Sequence, residues 1–220
     1  AIKSYTSAII RYSRNNLKEH INYILHVCFK LLFFDDPLRQ YASLLLFEIL
    51  ISSSPHFFVH SFLNFIQSIK KACANSNSSM VRCGEYVVMS SLSQVNPTTF
   101  IELIAENHFQ QTESLIFEFP NEITQSIISM CNFIPDFIET KLDDIKRIVS
   151  KLIHEDSDCS FNLISTVIEY FGKKILPLED ELMMNIFQIP FSDSFRKFFV
   201  TMMKCNSKIS PEVQKKLFEF

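Results

Sequence analysis

This chain of 220 residues reads as an all-α protein, an α-solenoid of about five antiparallel helix hairpins stacked into a right-handed superhelix. Three observations predict it. Pro55, Pro97, Pro135, Pro177 and Pro211 recur at intervals of 42, 38, 42 and 34 residues, each between two apolar runs of helical period. Proline suits the first turn of a helix, where its missing N–H has no partner to lose, so each one marks a helix start. Only two glycines occur, Gly84 and Gly172, too few for tight β-hairpin turns, and no stretch alternates long enough for a strand. The chain is 47% hydrophobic with 23 phenylalanines, ample material for packed helix seams. A repeat of about 40 residues is the size of a two-helix unit that buries its apolar face only against its neighbours.

The elements follow in order. A first helix is expected over Ile2–Arg14, broken by Asn15-Asn16. The next runs from Leu17 to Phe34, with Ile21, Ile24, Leu25, Cys28, Leu31 and Leu32 on one stripe. Asp35-Asp36-Pro37 supplies a cap and a start for a helix over Leu38–Ser52, so apolar all round that it should have neighbours on both flanks. Pro55 opens a helix over His56–Ala74, and the polar turn Asn75–Ser79 ends it. The segment from Met80 repeats the one at Leu38, 43 residues on if Val81-Arg82 is set on Leu38-Arg39. In that register Gly84 matches Tyr41 and Glu85 matches Ala42, and a small residue there lets two helices approach closely. After Pro97 a helix covers Thr98–Asn107, while His108–Phe119 has no clear period. Pro120 starts Glu122–Ile134, and Pro135-Asp136 opens one helix over Phe137–His154, striped by Phe137, Ile138, Leu142, Ile145, Ile148, Val149 and Leu152. Glu155–Asp158 caps Cys159–Lys173, Pro177 opens Leu178–Ile189, Ser192-Asp193 caps Ser194–Cys205, and Pro211 begins the final helix. The whole chain, 1–220, is expected to be a single repeat array. Both ends read as cut from a longer one, without the polar caps an array needs.

Charge and cysteine use narrow the function classes. A net charge of −3 gives no global electrostatic case for nucleic acid. The pairs Lys70-Lys71 and Lys173-Lys174 fall near helix C-termini, where cations complement the macrodipole; Lys146-Arg147 and Lys215-Lys216 are further basic pairs. Cys28, Cys73, Cys83, Cys131, Cys159 and Cys205 form no CxxC pair, and all but Cys159 lie in helical patterns. They read as free thiols in a reducing compartment, the cytoplasm first and the nucleus second. No apolar run reaches the roughly 20 residues that span a bilayer.

The segment Asp36-Pro37-Leu38-Arg39-Gln40-Tyr41-Ala42-Ser43-Leu44-Leu45 resembles the HEAT signature of helical-repeat proteins, and Ser79–Leu92 is a similar copy without the proline. The resemblance implies that the acidic turn holds the arginine of its own or the next repeat, a structural device without chemistry. Tyr41–Ser53 and Phe62–Phe100, with Asn96-Pro97 and Phe100, are also similar to the N-terminal helical-repeat region of the target-of-rapamycin kinases. That resemblance implies a non-catalytic arm of a large serine/threonine kinase, which helps dimerise the complex and docks adaptor subunits.

No residue is assigned a catalytic, cofactor-binding or metal-binding role. His56 and His60 have the i, i+4 spacing of a helical metal pair, but no glutamate base lies between them and no third ligand is fixed. Asp35-Asp36 reads as a cap, and Asp143-Asp144 as adjacent mid-helix carboxylates on different faces. Glu179-Asp180-Glu181 suits the first turn after Pro177. Two glycines cannot build a phosphate cradle, which excludes a P-loop, a dinucleotide fingerprint and a kinase glycine loop here. Phe33-Phe34, Phe57-Phe58 and Phe198-Phe199 are candidate anchors for a partner, with at least one ring of each pair expected in the core. The reading is a non-catalytic scaffold segment with protein partners. An importin-like or adaptor-like solenoid is the alternative, and an all-α enzyme comes last.

Overall fold

The computed structural model describes residues 17–175, 178, 180–186 and 188–205, and every regular element among them is helical. The all-α class holds. The expected helix over Ile2–Arg14, Pro177, Glu179, the helix from Pro211 and Lys215-Lys216 lie outside the described residues. The chain divides into two compact units, 1–112 and 113–220.

In the first unit, α1 (Leu17–Leu32) turns into α2 (Pro37–Ser53). A 3-10 turn (Pro55–Phe58) leads to α3 (Phe62–Cys73), and α4 (Ser79–Ser91) returns. After a second 3-10 turn (Leu92–Gln94) come α5 (Pro97–Phe100), a π-turn (Ile101–Ala105) and α6 (Glu106–Gln110). Asp36 starts α2 as the sequence predicts. Its Oδ1 accepts from the N–H groups of Leu38 at 2.9 Å and Arg39 at 3.3 Å, and Pro37 takes the first helical position. The Arg39 guanidinium folds back onto Asp36 of its own turn, with Nε 3.3 Å from Oδ2.

Helix α2 packs on α1 and, most extensively, on α4. Its expected burial is observed at Leu44, Leu45, Phe47, Ile49, Leu50 and Ile51. Ser43, fully buried, satisfies its hydroxyl by donating to the Cys28 carbonyl at 2.6 Å. Phe65 is the hub of a ring cluster, 5.8 Å from Phe29, 5.1 Å from Phe47 and 5.1 Å from Phe58 between centroids. The two latter contacts are edge-on, the arrangement aromatic quadrupoles favour.

The second unit opens near α7 (Thr112–Leu115), which straddles the boundary. It continues with α8 (Pro120–Phe133), α9 (Pro135–Glu139), α10 (Leu142–Leu152) and α11 (Ser157–Phe171). A 3-10 turn (Gly172–Lys174), α12 (Asp180–Ile186) and α13 (Asp193–Lys204) follow. Helix α11 is the core element, packed on α8, α10 and α13. Asp156 caps it through the Cys159 N–H at 3.0 Å, and the helix starts two residues earlier than the expected Cys159. Gly172 closes it at φ 51, a left-handed position that side chains resist.

Two helices expected to be continuous are broken. His56–Ala74 divides into Pro55–Phe58 and α3, and Phe137–His154 divides into α9 and α10. Both breaks place a bridge-region residue seven positions after Ile134 or Ser54: Ser61 at φ −105, ψ 10 and Lys141 at φ −110, ψ 11. The apolar stripe continues across each break, from Phe58 to Phe62 and from Ile138 to Leu142, all buried. Periodicity records only the stripe, so it could not report the break.

Candidate functional site

The first unit encloses a polar knot that the sequence reading did not find. Helix α4 supplies Tyr86 and Ser90 one turn apart, and the segment after the π-turn supplies His108 and Thr112. His108 Nε2 lies 2.8 Å from Ser90 Oγ. The imidazole stacks on the Tyr86 ring, 4.0 Å between centroids at 20°, and Phe100 meets it edge-on at 5.9 Å. The Tyr86 hydroxyl and Thr112 Oγ1 are 2.7 Å apart, and Ser90 Oγ donates to the Tyr86 carbonyl at 3.0 Å. With the serine proton so committed, the imidazole N–H donates to Ser90 Oγ.

A serine and a histidine at this distance have the spacing of a nucleophile and its base. Access decides otherwise: Ser90 is 1% exposed and His108 is 4% exposed. Burial, with Lys70 nearby, holds His108 down to about 3, and burial raises the Tyr86 phenol. A neutral imidazole bonded to a serine, stacked on Tyr86 and met edge-on by Phe100 is a packing lock. The sequence signal was the i, i+4 pair Tyr86/Ser90, but His108 lay where no period could orient it.

The other sequence candidates separate. His56 lies in the 3-10 turn and His60 beyond it, both exposed, so they do not share one helix. Asp143 and Asp144 stand in the first turn of α10, not mid-helix, where carboxylates favour the dipole. Asp143 meets Lys146 at 3.5 Å, and Asp144 meets Arg147 at 2.5 Å. Lys70 and Lys71 occupy the last turn of α3 as expected. The six cysteines are free thiols, five of them buried, and burial pushes Cys28, Cys73, Cys131 and Cys159 up to about 12. Such thiols are poor nucleophiles and poor ligands. Among the described residues no group of three His, Cys, Asp or Glu side chains is placed to hold a metal ion, and no helix is long and apolar enough to cross a membrane.

What remains is surface. Phe58 and Phe198 are buried, as expected for one ring of each pair, but Phe33 and Phe34 are both exposed, at 57% and 49%. They occupy the turn between α1 and α2, where the chain has left the helix and its stripe, and Leu38 beside them is 66% exposed. The Arg39 guanidinium covers one face of Phe34, 4.9 Å from its centroid.

In the second unit, polar contacts tie α8 to α11 and α11 to α13 near both ends. Cys159 of α11 donates to Asn121 of α8 at 3.1 Å, and the Tyr170 hydroxyl of α11 donates to Asn132 of α8. Both pairs are 38 residues apart, so α8 and α11 run parallel and in register. Ser192 with Asp158 at 2.9 Å, and Thr201 with Glu169 at 3.4 Å, bind α13 to α11 in the same direction. Glu113 is bridged by Arg147 at 3.2 Å and Lys151 at 3.4 Å, and Lys174 meets Glu139 at 2.6 Å.

Comparison with known protein families, curated proteins and solved structures returned no match to this chain.

Proposed function

We propose that this chain is a non-catalytic protein-binding scaffold, an α-solenoid whose stacked hairpins hold a fixed surface. The observation that supports it most is the register of α8, α11 and α13: parallel helices tied at both ends by residues 32 to 38 positions apart. Tandem hairpins produce that arrangement because each rests on the one before and the one after it. The residues that precede α2, α4, α8, α11 and α13, at 36, 78, 119, 156 and 192, follow one another at a similar interval of about 40 residues, the size of a two-helix repeat. A pre-stacked surface loses little ordering entropy when a partner lands, which suits a scaffold. The sealed Ser90–His108 pair weighs against hydrolytic chemistry at that position.

Resemblance to the target-of-rapamycin arm carries the reading further, to a segment of a large serine/threonine kinase that docks its adaptors. A transport solenoid is the second reading. The amides Gln125 and Asn162 favour it, since they reach the surface of α8 and α11 and can pair with a partner's backbone. The absence of tryptophan weighs against armadillo-type cargo binding.

Truncation tests the architecture. Removing α12 and everything after it should leave a folded, less stable chain with unchanged helicity per residue; a cooperative globule would unfold. Purification of the full-length protein from its own cells, followed by mass spectrometry, tests the assignment. Co-purification in the same polypeptide with a kinase domain, or with its adaptors, supports the first reading. Recovery with nuclear-transport or coat components would replace it.

A further inference from the structure

Proposed as a scaffold, the chain needs a partner class, and one end of the first unit supplies the chemistry to name it; this step rests on the scaffold reading. Gly84, in the second turn of α4, lies against Tyr41 and Leu44, in the second turn of α2. The N-terminal ends of α2 and α4 are therefore level. So are the two turns that feed them, from α1 and from α3.

This end is apolar and positive. Phe33, Phe34 and Leu38 are exposed by about half or more. The helix ends that meet the two turns carry Lys30 in the last turn of α1, Lys70 and Lys71 in the last turn of α3, and Arg82 in the first turn of α4. All four are exposed, and none is within ion-pair distance of a carboxylate among the described residues. The carboxylates present compensate little. Asp36 is taken by its cap and by Arg39, Asp35 is a single exposed charge, and half-buried Glu85 lies near enough to feel the charge of Lys70, leaving Lys30, Lys71 and Arg82 in excess.

The lysines and Arg82 cannot serve the helix dipoles alone. Lys70 and Lys71 complement the C-terminus of α3, but Arg82 stands at an N-terminus, where a cation is unfavourable. Exposed aromatic rings on an edge where exposed cations outnumber free carboxylates match a ligand that brings carboxylates and an apolar anchor together. We propose that the α1–α2 and α3–α4 turns of the first unit form a docking edge for an acidic amphipathic polypeptide segment. Its apolar side chains would cover Phe33, Phe34 and Leu38, and its carboxylates would meet Lys30, Lys70, Lys71 and Arg82. Association should be steered by charge and weakened by salt.

A random-peptide display library selected on the intact protein tests this, with F33S/F34S and K71E/R82E proteins as counter-selections. Both pairs are exposed, and unchanged circular dichroism and melting establish that the fold is kept. Enriched sequences should combine Asp or Glu with Phe, Leu or Trp, bind each variant about tenfold more weakly, and lose affinity in 0.5 M salt, as a hot-spot edge requires. Basic or neutral winners overturn the assignment. Winners that bind both variants undiminished overturn this edge but leave the scaffold reading standing, whereas no enrichment at all counts against both. Binding to phosphatidylserine vesicles without peptide binding would assign the edge to a membrane surface. Self-association lost in both variants would assign it to a second copy, with Glu122, Asp156 and Asp158 as the acidic counterpart. Either result replaces the proposal.

Discussion

Gly84 and Leu44 stand so close that a β-carbon on the glycine would lie 2.9 Å from Leu44 Cδ1 and 3.1 Å from Leu44 Cβ. Tyr41 Cδ2 would be 3.0 Å away on the same side. This is the seam of α2 and α4, the closest-knit helix pair of the first unit. Gly84→Ala gains about 1 kcal/mol in helix propensity. Overpacking a tight seam costs about 1–3 kcal/mol, and here Leu44 Cβ cannot swing away. The expected result is a net loss of roughly 1 kcal/mol, larger for Gly84→Val, read as a lower urea midpoint. Pairing Gly84→Ala with Leu44→Ala should cost less than the two separate losses combined, because the second substitution clears space for the first. Strict additivity would mean that the two do not share this contact.

His108 sets an acid limit on stability. Its folded value is about 3 against an ordinary 6.5, because burial disfavours the charged ring. The unfolded chain therefore takes up the proton first as pH falls. Its contribution is complete above 6.5 and declines between 6.5 and about 3, by about 1.4 kcal/mol per pH unit. At pH 5 the loss reaches about 2 kcal/mol. His108→Gln should be less stable at pH 7.5 yet show a flatter slope between pH 7 and 4.5. Denaturant titrations at several pH values check it; parallel slopes in the two proteins would refute a buried neutral imidazole.

Thr124 of α8 is 1% exposed, and its hydroxyl has no hydrogen-bond partner. Thr124→Val keeps the shape and removes the desolvated group. Stability should rise by about 1 kcal/mol, seen as a higher melting temperature. A drop would reveal a bond to the hydroxyl in solution.

Asp36→Ala removes the cap of α2 and frees Arg39 from its own turn. The expected cost is about 1 kcal/mol, with Asp36→Asn retaining most of it because the amide oxygen still caps. Thermal melts of the three proteins rank the effects. An alanine variant as stable as the parent would show that Pro37 alone starts the helix.

How much of this was legible beforehand depends on what each residue does locally. Asp36, Asp156 and Ser192 cap the helices they were expected to cap, because capping is settled within four residues of chain. The stripe from Phe137 to Leu152 is buried in full, because burial follows helical period. Arg39 returns to the acidic residue of its own turn. One ring of Phe33-Phe34 was expected in the core and both are exposed, because hydrophobicity alone does not say which side of a turn faces water.

The sequence by itself determined the all-α class and the caps at Asp36, Asp156 and Ser192, since propensity, period and capping act over a few residues. Tertiary structure decided the rest. It set the breaks at Ser61 and Lys141, the 38-residue register of α8 on α11, and the meeting of Tyr86, Ser90, His108 and Thr112. Those depend on which surfaces touch across tens of residues. A side chain's partner is then chosen by the packed neighbours around it and not by its position in the chain.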